Sequence, residues 1–170
     1  MSFLLDRKIC KKINDYVNEK IPNSYTRMAL KRPIPITDKT YTTINEYRNS
    51  VTSNNFYKKA LETGCGNCEE MAFAAGYYAL EIRYPGYIAT ATFGLNHVFC
   101  LIGDFILDCW SNDFFPYDQW KFKLKGYGGS IKNGFVNGWL LDANHFELEG
   151  EEPEVMTIIQ EKPKVNQYFL

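Results

Sequence analysis

The chain has 170 residues, 45% of them apolar and 16% aromatic, which is the composition of one folded domain with a proper core and not of a disordered tail. Its net charge of −1 provides no surplus for holding DNA, RNA or an anionic membrane. Five cysteines are an odd number, no apolar run approaches the ~20 residues that span a bilayer, and charges break the start of the chain too early for a signal peptide; the expectation is a cytoplasmic protein whose thiols are free.

Residues 3 to 20 place Phe3, Leu4, Ile9, Ile13, Tyr16 and Val17 on one face, which predicts an amphipathic helix. Ile21-Pro22-Asn23 stops it. Ser24 to Thr40, with Pro33 and Pro35 and no clear period, reads as an ordered connector or a substrate-facing loop. A second helix is expected from Thr43 through Leu61, with Tyr47, Val51 and Phe56 inward and Gly64 as its stop; Ser53-Asn54-Asn55 is a weak centre that invites a break.

The third helix carries more information. Asn67 is a good N-cap, and Glu70 three residues on completes a capping box. Met71 to Leu80 is apolar on nearly every side, with Ala72, Ala74, Ala75, Gly76 and Ala79 offering small surfaces, so burial against a sheet is expected. Cys68 then stands first in the helix, beside unpaired N–H groups and the positive end of the dipole, and both favour thiolate. Its own N–H is placed to donate to an oxyanion. Glu69 works the other way, because a like charge disfavours the thiolate.

Strands follow: Tyr87 to Phe93, Val98 to Ile102 and Phe105 to Cys109, the last two joined by a Gly103-Asp104 hairpin turn. If Ile102 faces Phe105, then Phe99 faces Asp108 and His97 faces Trp110. The period of two puts His97, Phe99 and Leu101 on one face with Ile106, Asp108 and Trp110. His97 and Asp108 are then diagonal neighbours, about 7–8 Å apart between backbones, a span that two side chains bridge. A slip of one residue would turn Asp108 away. Trp120, Phe122 and Leu124 alternate with lysines and predict an edge strand. Gly126 to Gly138 is a glycine-rich loop, and Val155 to Gln160 a last strand.

Thiol, imidazole and carboxylate in this order are what a cysteine nucleophile with an oriented general base requires: Cys68, His97 and Asp108. Other readings of the same residues stand beside it. Cys68 as a small buried hydrophobe is the usual fate of a free cysteine. Cys65-x-x-Cys68 has the spacing of a redox pair. With His97-x-x-Cys100 it also has zinc-like spacing, although Cys100, three residues along a strand, points to the opposite face. His145, with Asp142 near it, competes with His97 but lacks the strand-start context.

The segments GNCEEMA, NHVFCLIG and LDCW resemble the papain-like superfamily of thiol enzymes, in which the cysteine starts a central helix, the histidine starts a strand, and the third residue lies on the following strand before an aromatic residue. The resemblance covers residues 64 to 110 and looks most like the transglutaminase-like and bacterial-effector branches. It implies an α+β fold over residues 1–170: N-terminal helices and a buried nucleophile-bearing helix on a mostly antiparallel sheet. It also implies a Cys68–His97–Asp108 triad, with Asn67 as an oxyanion helper and Trp110 as a lid on the imidazole–carboxylate pair. No metal or organic cofactor is implied. Glu62, Thr63 and Gly64 occupy the stretch where papain-type peptidases carry an oxyanion glutamine, so the implied chemistry on protein amides includes deamidation and transamidation as well as cleavage. GEEPEVM and the terminal Tyr168-Phe169-Leu170 resemble type IV secretion signals, which implies delivery to a host cytosol and a host protein as substrate. A non-catalytic protein-binding module on the same fold is the alternative.

Overall fold

In the computed structural model, which describes residues 3–29, 32, 34–94, 97–124 and 152–163 and the backbone of 135–136 and 139–140, the first apolar stripe forms helix α1 (Phe3–Lys20). Asp6, Cys10, Ile13, Asn14 and Val17 are its buried residues, spaced three and four apart. Phe3 and Leu4, expected inward, are 55% and 70% exposed. Leu4 is off the stripe, and Phe3 is at its outer end, with its ring 5.2 Å from that of Phe105.

The connector contains a single helical turn, α2 (Tyr25–Met28), capped by Ser24. The second expected helix starts earlier and divides in two. Asp38 caps α3 (Lys39–Ser50), Val51 turns extended, a 3-10 turn covers Ser53–Asn55, and α4 (Phe56–Thr63) ends on Gly64 at φ 75°. The break falls at Ser-Asn-Asn, where helix propensity is weak.

Helix α5 (Cys68–Glu81) buries Met71, Ala72, Ala74, Ala75, Gly76 and Ala79. It is not enclosed on all sides: Tyr77 and Leu80 keep 36% and 40% of their surface. Gly76 lies close against the sheet: a Cβ there would collide with Ile159 Cδ1.

The strands are β1 (Ile88–Phe93), β2 (His97–Ile102), β3 (Phe105–Asp108) and β4 (Asp113–Pro116), followed by the two-residue pair β5 (Phe135–Val136) and β6 (Trp139–Leu140), and then β7 (Glu154–Gln160). Five of them form one sheet in the order β4-β3-β2-β1-β7, every neighbouring pair antiparallel. The fold is therefore α+β, with helices packed on an antiparallel sheet. Between β4 and β5, the segment from Trp120 expected as a lysine-edged strand is helix α6 (Trp120–Lys123), entered through a 3-10 turn at Tyr117–Gln119. Its apolar spacing also satisfies a helical turn: Leu124, four residues after Trp120, is fully buried, while Phe122 is 85% exposed.

The alternation of β2 and β3 divides the core. Cys100, Ile102, Phe105 and Leu107 pack with Ile13, Val17, Met71 and Ala75 from α1 and α5. Phe99, Leu101 and Ile106 pack on the other face with Ala89, Ala91, Phe115 and Leu124. No described helix is long and apolar enough to cross a membrane.

Candidate active site

The β2–β3 hairpin positions the imidazole and the carboxylate. Ile102 pairs with Phe105, Leu101 with Ile106 and Cys100 with Leu107, which is the register expected from the Gly103-Asp104 turn. Gly103 adopts φ 56°, a conformation open to glycine, and a Cβ there would strike the Tyr84 hydroxyl. In this register His97 opens β2, Asp108 closes β3, and both share the face of Phe99 and Ile106. His97 Nε2 is hydrogen-bonded to Asp108 Oδ2, and both residues are fully buried. The second oxygen, Oδ1, accepts from the Ser111 N–H at 3.3 Å.

Aromatic rings enclose the imidazole. Trp110 lies 5.3 Å away at 64° and Phe99 5.8 Å away at 66°, both edge to face. Trp110 is in the turn after β3 rather than on the strand itself, and it still reaches the ring. Burial alone would lower the proton affinity of His97. The Asp108 charge and hydrogen bond, followed by those of Cys68, outweigh burial and raise it above its ordinary 6.5.

Cys68 is the first residue of α5. The capping box is formed at this helix start, with the Asn67 N–H donating to Glu70 Oε2 at 3.2 Å. The Cys68 side chain is an electrostatic neighbour of His97 and raises its proton affinity. With Nε2 engaged by Asp108, Nδ1 is the ring nitrogen left to exchange a proton with a thiol. Of the five cysteines, Cys68 is half-buried and Cys10, Cys65, Cys100 and Cys109 are buried. Burial pushes those four thiols up, Cys10 to about 12.

The two glutamates after the cysteine differ. Glu70 is fully buried, and Arg48 grips it through Nε at 2.5 Å and a terminal nitrogen at 2.7 Å, so its charge is balanced. Glu69 is half-buried, and burial and then the Glu70 charge raise its carboxyl above the ordinary value.

Sequence reasoning missed the residues that join these parts. Asn67 Oδ1 accepts from Ser24 Oγ at 2.9 Å, Thr26 Oγ1 at 3.1 Å and Thr26 N at 3.4 Å. The Thr26 hydroxyl in turn accepts from Trp110 Nε1 at 2.9 Å. Arg27 donates to the Trp110 carbonyl and to Asn18 Oδ1, and Asn18 donates to the Cys109 carbonyl. Asn14 donates to Asn112 Oδ1 at 2.7 Å. Backbone bonds from Asn23 to Gly64 and from Gly66 to Asn23 tie the same connector to the loop before Cys68. The readable signal was Ser24 as a helix cap, which the nearby prolines obscured.

Cys100 lies on the opposite face of β2 from His97, packed near Gly76. Among the described residues no three His, Cys, Asp or Glu side chains gather as metal ligands. Within the loop expected over Gly126–Gly138, Phe135–Val136 is strand β5; the rest of that loop, the Asp142 and His145 pair, the side chain of Trp139 and the terminal Tyr168-Phe169-Leu170 lie outside the described residues. Comparison with protein-family models, with curated proteins and with solved structures gives no match for this chain.

A thiol at a helix start, an imidazole against it and a carboxylate holding the far ring nitrogen form an arrangement able to pass a proton from sulfur to nitrogen and back.

Proposed function

We propose that the chain is a cysteine-dependent hydrolase or acyl-transfer enzyme acting on protein amides, with a papain-like arrangement of Cys68, His97 and Asp108. The observation that carries this reading is the meeting of the one half-exposed thiol with a buried imidazole whose other nitrogen is bound to a buried aspartate.

His97 accepts the Cys68 proton on Nδ1, and the sulfur attacks the amide carbonyl carbon. The Cys68 N–H donates to the resulting oxyanion, with the Asn67 amide as a helper. When the C–N bond breaks, the imidazolium gives its proton to the leaving amine and a thioester remains on Cys68. Water, deprotonated by His97, resolves the thioester to a carboxylic acid and returns the thiol. A backbone amide gives cleavage, a glutamine side chain gives deamidation, and an amine in place of water gives transamidation. Asp108 holds the ring orientation and stabilises the imidazolium throughout. The resemblance of GEEPEVM to acidic secretion signals supports reading the protein as a bacterial effector with a host protein as substrate.

One observation favours a second reading, a binding module without turnover: His97 is fully enclosed, and a leaving amine must reach it. Alkylation with iodoacetamide near neutral pH separates the two. The enzyme reading expects Cys68 to label faster than a simple peptide thiol, and His97→Ala to remove that advantage. Ordinary reactivity at Cys68, together with an unchanged cellular effect of Cys68→Ala, would leave the binding module as the better account.

A further inference from the structure

We infer that Thr26 is a positioning residue that couples the nucleophile to its base; the inference rests on the function proposed above. Cys68 and His97 belong to separate elements, the start of α5 and the start of β2, and their relative placement is sensitive to sub-ångström slack. Thr26 spans the gap from the side. Its hydroxyl and N–H both donate to Asn67 Oδ1, at 3.1 and 3.4 Å, and Asn67 directly precedes Cys68. The same hydroxyl accepts the indole N–H of Trp110 at 2.9 Å, and the Trp110 ring packs on His97 at 5.3 Å. The Cys68 charge acts on the same His97 imidazole, so the two arms of Thr26 end on groups that sense each other.

Asn67 and Trp110 are both buried, at 3% and 5% exposure, which restricts water as a substitute for either bond. Asn67 Oδ1 keeps Ser24 and the Thr26 N–H as donors if the hydroxyl is lost. The indole loses the acceptor that this hydroxyl supplies, and an indole N–H has no second role as acceptor. Loss of the hydroxyl therefore loosens the ring over His97 more than it loosens the helix start. The donors on Asn67 Oδ1 also fix which way its amide points, so Nδ2 is the end able to donate.

The test compares Thr26→Val, which keeps the shape and removes the hydroxyl, with Thr26→Ser, which keeps the hydroxyl. The readouts are the rate and pH profile of Cys68 alkylation by iodoacetamide, and the pH dependence of tryptophan emission, with Trp110→Phe subtracted to isolate Trp110. Thr26→Val is expected to slow alkylation on the order of tenfold, to shift its pH profile and to alter the Trp110 titration. Thr26→Ser is expected to restore all three. If Thr26→Val does not fold, Trp110→Phe alone serves, because it removes the indole donor while keeping an aromatic ring; the same slowing is expected.

A fast wild-type rate with an equally fast Thr26→Val or Trp110→Phe, and unshifted profiles, overturns the role of Thr26 and leaves the proposed function standing. A wild-type Cys68 no faster than a simple thiol overturns both.

Discussion

Arg48 holds both oxygens of the buried Glu70 carboxylate, at 2.5 and 2.7 Å, two residues beyond the candidate nucleophile. Glu70 also receives the Asn67 N–H and the Tyr47 hydroxyl. One carboxylate thus closes the capping box and anchors the start of α5 to α3. Arg48→Met would leave a buried carboxylate without its counter-charge. The expected loss is about 3 kcal/mol of unfolding free energy, the low end for a broken buried pair because the Arg48 side chain is partly exposed. Urea denaturation checks it; Arg48→Lys should recover only part, since an ammonium does not match the fork geometry. A loss within error would mean that Arg48 does not stabilise the buried Glu70 side chain.

What was legible in the sequence follows from local chemistry. Ile102-Gly103-Asp104-Phe105 specifies its own turn, and strict alternation on both sides carries that register as far as His97 and Asp108. Asn67 and Glu70 announce a helix start because both halves of a capping box lie within four residues. The Ser24–Ala29 segment was not legible, because its role lies in contacts with residues 67 and 110 that no local pattern encodes. Trp120 to Leu124 satisfies periods of both two and four, and the exposure of Phe122 while Leu124 is buried against the far side of the sheet marks the helix. The exposed flank of α5 was missed for the opposite reason: Tyr77 stacks on Tyr57, and an apolar count does not separate such a half-covered ring from a core one.

Asp108→Asn tests the orientation of the base. Oδ1 of residue 108 accepts the Ser111 N–H, so the amide oxygen of an asparagine would stay there and its NH2 would face Nε2. The imidazole would then carry its proton on Nδ1, the nitrogen needed to receive the thiol proton. Acylation of Cys68 by an activated ester, followed by stopped-flow release of the leaving group, is expected to slow by roughly two to four orders of magnitude. A loss of only a few-fold would show that Asp108 does not set the tautomer.

The raised proton affinity of His97 predicts a slope in stability. The folded value is above the ordinary 6.5, so the native state holds this proton more tightly than the unfolded chain does. The contribution is complete below about pH 6.5 and is lost as pH rises toward the folded value. The buried thiols, whose ordinary value is 9.0 and whose folded values are higher, begin to act above that interval. Unfolding free energy from urea titrations should therefore fall between about pH 6.5 and 8.5, and His97→Gln should flatten the curve there. An equal slope in the variant would assign it to another group.

The central claim is that Cys68 attacks a carbonyl carbon with His97 as its base. The direct measurement is the intact and peptide mass of the protein quenched in acid during turnover of p-nitrophenyl acetate. The account predicts one acetyl group on Cys68, labile to hydroxylamine, absent in Cys68→Ala and strongly reduced in His97→Ala. An acetyl group spread over several residues, or equal on Cys68 with and without His97, would contradict it.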